Sequence, residues 1–319
     1  MNFFIAMRDR VRTILGTYET IIEHLWNGFV TLFSLTVMNQ QFGYASALKS
    51  AWIVLAISVL CAFIPMNAIA LVLSICLLIH MAYLSLQVAL VTGVILVLAY
   101  IFARTYQGKQ MYHLVGIPLF YQIHAPFILP VEAALMGKPA EITLIISGSL
   151  LSFFLRQVRD DATALTDGTM NVLEIIQGEV FGNQIFYVYM IAMITMFLVI
   201  SQIRTRAIRY SWILSVVYGI LVEFVIMVAG YLLLGNKDRI PTLIISNLIA
   251  LAVGIVTNYL FQDLDYARIE KLQFEDDDYT YYVTAIPKIQ LTEKTIEVKR
   301  ITDEEASDKH RRRRHHVDS

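Results

Sequence analysis

Apolar runs separated by short polar or basic connections fill most of the chain between Ile21 and Phe261. They cover residues 21–37, 51–64, 68–84, 88–103, 142–155, 185–203, 211–234 and 242–261. A helix needs about 20 apolar residues to cross ~30 Å of hydrocarbon, and these runs are read as eight spans, several of them short. One stretch, residues 104–141, fits no single span. It is apolar, yet Gly116, Pro118, Pro126, Pro130 and Gly137-Lys138-Pro139 break it before either half reaches spanning length. Backbone that leaves the helix at membrane depth persists only inside protein or against a water-filled cavity. The segment therefore reads as an interrupted, re-entrant-like hairpin enclosed by the other helices, or as two short crossings over 113–136.

The flanking pieces complete the layout. Residues 1–20 mix Phe3, Phe4, Ile5, Met7, Val11 and Ile14 with Arg8, Arg10 and Arg12. They suit an amphipathic helix on the membrane surface or a lead-in helix packed on the next span. Residues 21–103 then form a first membrane half of four spans, 104–141 the hairpin, and 142–262 a second half of four. In the run 142–155, Ser147, Gly148, Ser149 and Ser152 make a small-residue face suited to close helix packing. An acidic loop at 156–183 carries a surface helix over 170–181. Residues 263–319 differ in composition: 266–271 continue the last helix, an acidic cluster follows, and YTYYVTAIPKIQL and KTIEVKRI alternate like strands. After about residue 303 the basic, low-complexity end is expected to be disordered.

Charge placement orients these spans. Arg204, Arg206 and Arg209 crowd one short loop, and Lys and Arg in short loops mark the cytoplasmic side. Counting from that loop puts Arg104, Lys109, Lys138 and the basic N-terminal segment on the same side. The acidic loop falls outside and both termini are cytoplasmic. Composition agrees with a polytopic membrane protein: 319 residues, 57% hydrophobic and 16% charged, with a mean hydropathy of +0.61. Cys61 and Cys76 both lie in apolar runs, which argues for buried thiols rather than a disulfide or metal site. Residues 1–16 lack the order of a cleavable signal.

Candidate chemistry is sparse. Glu223 sits near the middle of an apolar span, and an ionisable group at that depth normally faces the bundle or a cavity. It reads as a proton- or cation-coupling carboxylate or ligand contact, or as a protonated acid hydrogen-bonded to Asn247 or Asn258. Glu132 and His124 lie in the broken segment. Discontinuous helices place substrate near the midplane and turn a half-helix N-terminus toward anions. The plainer account has Glu132 capping or neutralising Lys138, or simply reaching water. His80, alone in its span, reads as a packing residue, as do Asn247 and Asn258. No HExxH, GxSxG, GxxxxGK[ST] or CxxC motif occurs, and no cofactor or metal site is indicated. The chain is therefore read as non-enzymatic, with no specific nucleic-acid partner.

The segments YARIEKLQFEDDDYTYYVTAIPK, AFIPMNAIALVLSICLLIHMAYLSLQVAL and HAPFILPVEAALMG resemble a group of uncharacterised polytopic membrane proteins of Gram-positive, clostridia-type bacteria, over most of residues 20–290. The resemblance implies a bacterial cytoplasmic membrane and a tail of similar style, and carries over no functional residue. The expected fold is an all-α integral membrane helical bundle with a small cytoplasmic tail of β character. The expected function is a transport or permease-type component with a discontinuous-helix site. The alternative is a non-catalytic scaffold that recruits a cytoplasmic protein through Phe274, Glu275, Asp276, Asp277, Asp278 and Tyr279.

Overall fold

The computed structural model describes residues 2–105, 110–206, 210–261, 270–275 and 280–285. The membrane unit is a helical bundle. In chain order its helices are α1 (Asn2–Thr17), α2 (Glu19–Phe42), α3 (Ala51–Cys61), α4 (Met66–Leu84), α5 (Leu86–Thr105), α6 (Tyr112–Gln122), α7 (Ile128–Met136), α8 (Ile142–Asp160), α9 (Ala162–Thr166), α10 (Val172–Glu174), α11 (Gln184–Arg204), α12 (Ser211–Leu233) and α13 (Ile240–Phe261). Seven helices among the described residues are long and apolar enough to cross a membrane. The bundle leaves large side chains such as Leu25, Trp52, Leu60 and Leu233 exposed on its outside, as lipid contact requires.

Two of the sequence boundaries need correction. The run 51–64 becomes α3, only 11 residues long, or about 16 Å of helix. Polar residues of α2 secure its end: His24 Nδ1 is 2.9 Å from the Ala62 carbonyl, and Asn27 Nδ2 donates to the Ile64 carbonyl at 3.0 Å. Within the acidic loop, α10 passes into a single π turn at Ile175–Val180, where a regular surface helix was expected. The N-terminal helix packs as a lead-in, with Arg12 Nε donating to the Leu260 carbonyl at the end of α13.

Helix α8 is the most enclosed long element. In its span 61% of the apolar window is buried, against 28% for the spans of α5 and α13. The small face read from the sequence explains this. Gly148, Ser149 and Ser152 are buried, and a Cβ on Gly148 would lie 3.1 Å from Ile117 Cβ and 3.2 Å from the His113 carbonyl. Only a small residue lets α6 and α8 approach so closely. Helices α11 and α12 meet in the same way: a Cβ on Gly219 or Gly230 would fall within 2.4 Å of Ile200 or Val188 side-chain carbons.

The tail forms a separate compact unit. Strand β1 (Glu270–Glu275) pairs antiparallel with β2 (Thr280–Ala285), with Leu272 opposite Val283 and Phe274 opposite Tyr281. Glu270 and Lys271 thus begin a strand, where the sequence suggested the end of a helix.

Candidate functional site

The interrupted segment folds as the helical hairpin α6–α7; Gly116 and Pro118, expected to break it, lie inside the continuous helix α6, and the breaks that do form have local causes. At its tip His124 takes a left-handed backbone (φ 63°). Its N–H bonds to the Tyr121 carbonyl, and the Ala125 N–H reaches back to Phe120 at 2.9 Å. Pro126 cannot prolong the helix, whereas Pro130 sits in the first turn of α7, where no intrahelical N–H bond is lost. At the other end of α7, Arg204 caps the helix. Its Nη1 and Nη2 donate to the carbonyls of Leu135 and Gly137, both at 2.6 Å, and its guanidinium lies 5.6 Å from the Trp212 ring centre. Arg204 was legible as a topology marker, but its capping role was not.

Contacts along the hairpin show how far it extends. At its open end the Gln110 N–H faces Glu141 Oε1 at 3.4 Å, and the Met111 N–H faces Asn67 Oδ1 at 3.3 Å. At its tip Gln122 Oε1 accepts from Arg159 Nη1 at 2.9 Å, and the His124 carbonyl accepts from Ser246 Oγ. Since Glu141 and Arg159 lie at opposite ends of α8, the hairpin runs alongside nearly the whole helix.

Glu132 and His124 therefore belong to different sites. Glu132, at the open end, has an oxygen 2.6 Å from His113 Nε2 and accepts from Gln110 Nε2 at 3.5 Å. Its side chain is 29% exposed, whereas His113 is buried at 2%. This is a hydrogen-bonded acid–imidazole pair with one accessible member. His113 was not singled out from sequence, because 19 positions separate it from Glu132 and that spacing matches no face of a single helix. Glu132 is engaged with His113 and Gln110 rather than with Lys138, which was the plainer expectation.

His124 lies at the tip, on the rim of a cavity of about 150 Å³. Apolar side chains, among them Phe127, Phe153, Ile185 and Met227, form part of its wall, and Arg156, Asp238 and Arg239 supply its charge. Tyr121, Tyr189 and Tyr231 also line it. Asp238 and Arg239 are solvent-exposed while Tyr189 and Met227 are buried, so the cavity leads inward from the tip end of the bundle. The Arg156 guanidinium lies over Tyr121, 5.8 Å from its ring centre.

Met227 and Tyr231, on the cavity wall, are one and two helical turns beyond Glu223 on the same face of α12. Glu223 is fully buried; neither carboxylate oxygen meets a donor in full hydrogen-bond geometry, and the Asn247 side chain is its polar neighbour. Asn247 lies beside it, one turn below the cavity residue Leu243 on α13. The Asn247 amide donates to the Leu243 carbonyl at 3.1 Å, leaving its Oδ1 without a partner. Burying a polar group without a hydrogen bond costs roughly 1–3 kcal/mol on protein mutational scales. Only Asn247 stands near enough among the described residues to offset that cost at Glu223.

The remaining candidates fall elsewhere. His80 is buried and accepts from the Ala45 N–H through Nδ1 at 3.2 Å, a packing role. Asn258 is buried on α13, more than two turns from Asn247. Arg206 follows α11 and is exposed, and Arg209 lies outside the described residues. Phe274 and Glu275 are in β1, and Asp276, Asp277, Asp278 and Tyr279 lie outside the described residues. Cys61 and Cys76 are both buried and free. No protein-family model, curated protein or solved structure matches this chain.

Proposed function

We propose that this chain is a non-enzymatic transport component of a bacterial cytoplasmic membrane, with a polar route running beside the broken hairpin. The supporting observation is the buried carboxyl of Glu223, met by no donor in full hydrogen-bond geometry, one turn beneath a cavity that opens at the hairpin tip. In this reading Glu223 carries a coupling proton, and the Glu132–His113 pair at the open end exchanges it with water. The basic residues Arg12, Arg104, Lys138, Arg204 and Arg206 favour a cytoplasmic open end and cytoplasmic termini. Eight crossings then flank a hairpin that enters and leaves on that side, with α3 as the shortest crossing.

A second reading is a membrane scaffold. The two-stranded tail supports it, because Tyr282 is 79% exposed and a lone two-stranded sheet is at best marginally stable without a partner. A strand of a cytoplasmic protein added to its edge would complete the sheet.

Proteoliposomes with a potassium diffusion potential and a trapped pH dye separate these readings. The transport reading predicts proton entry above that of empty vesicles, equal for the full chain and for a chain truncated after Lys271. Vesicles as tight as empty ones, with a protein that co-purifies from native membranes only when the tail is present, would replace it with the scaffold reading.

A further inference from the structure

Arg156 lies in the last turns of α8 and Arg239 in the connection before α13, 83 positions further along the chain, yet both line the same cavity as Tyr121 and Tyr231. Converging cations on a rigid aromatic wall make a recognition geometry rather than a solvated surface. Arg156 has only a loose partner in Asp160, at 3.8 Å, and its Nη1 lies 3.5 Å from the Tyr121 hydroxyl. Deeper in, the wall is closed by packed rings. Tyr121, Phe153 and Tyr189 have centroids 5.2–5.6 Å apart. The Tyr189 hydroxyl is buried beside Ser149 of α8. Pro126 and Phe127, which lead into α7, belong to the same wall, so the N-terminus of α7 adds its partial positive charge.

We infer that this cavity binds a small carboxylate with an apolar or aromatic body, its anionic end held by Arg156 and Arg239 and its body against the rings. Size sets the upper bound, since 150 Å³ is the scale of a cavity that holds one benzene. The charge sets the sign. The lining itself carries two guanidiniums against one carboxylate, Asp238, and Asp160 stands outside the lining at 3.8 Å from Arg156. A cationic ligand would need an aromatic face, and Arg156 already occupies that of Tyr121. The planar fork of arginine favours carboxylate geometry, and the apolar floor disfavours a fully hydrated inorganic anion. Naming this ligand as the transported substrate rests on the transport reading above, but its binding does not.

The test is calorimetric titration of the full chain in detergent with benzoate, benzamide, tetramethylammonium and inorganic phosphate. Benzoate alone is expected to bind. Arg239→Gln, in an exposed connection, should weaken it at least ten-fold, the loss of one charge-assisted hydrogen bond. Arg156→Lys, which keeps the charge but loses the fork, should weaken it as well. Several results would overturn the assignment: benzamide or tetramethylammonium binding as well as benzoate, phosphate binding more tightly, unchanged affinity in Arg239→Gln, or no binding up to roughly 10 mM. Benzoate binding by a chain that passes no protons would keep the site and remove the transport reading. Proton entry without benzoate binding would do the reverse.

Discussion

Replacing Arg204 by alanine is expected to destabilise the membrane unit by about 3 kcal/mol, the lower bound for two charge-assisted hydrogen bonds. The guanidinium donates to two carbonyls at the end of α7, at 2.6 Å each. A helix of nine residues has no spare turns over which to fray. Without the cap those carbonyls face a bundle interior that offers few other donors. Lysine at this position keeps the charge but cannot span both acceptors, so Arg204→Lys should recover less than half of the loss. Denaturant titration in mixed micelles, with hydrogen exchange followed on the α7 amides, reads both effects. A variant that unfolds at the same denaturant concentration as the parent, with α7 still protected, would show that the cap contributes little.

The opposite sign is expected at Glu223. Its carboxyl is fully buried with neither oxygen in full hydrogen-bond geometry, so Glu223→Leu should leave stability unchanged or raise it by about 1–2 kcal/mol. Glu223→Gln keeps the shape and removes the exchangeable proton. Both variants should lower proton entry into vesicles at least ten-fold. A residue whose loss stabilises the fold while silencing the protein is retained for activity, as expected where function and stability compete. A loss of more than about 2 kcal/mol with proton entry intact would instead make Glu223 a structural residue.

These two residues also mark how far the sequence reaches. The long apolar runs translated directly into helices, because length and hydropathy are local properties. The breaks at Pro126 and Gly137 and the small face around Gly148 were equally readable, since each acts within a turn or two of its own position. Glu223 stood out as a lone acid in an apolar span. What escaped the sequence depends on distant pairs. Examples are His113 with Glu132, Arg204 with Gly137, and Arg156 with Arg239 around the cavity. No periodicity records such pairs, because they arise only when the hairpin is threaded alongside α8 and α11. Glu132 and His124, neighbours in sequence terms, were separated for the same reason: His124 stays at the hairpin tip, while Glu132, midway along α7, meets His113 near the start of α6. The shortness of α3 was hidden because an apolar run shows what can be buried, not where its helix stops.

The proposed polar route joins the two ends of the bundle past the hairpin. It is tested most directly by labelling with a membrane-impermeant thiol reagent in sealed vesicles of known orientation. In a background with Cys61 and Cys76 replaced by serine, single cysteines are placed at Met227, on the cavity wall, and at Glu132, at the open end. The account predicts that Met227→Cys reacts from one face of the membrane and Glu132→Cys from the other. Reaction of both from the same face, or of neither from either face, would contradict it.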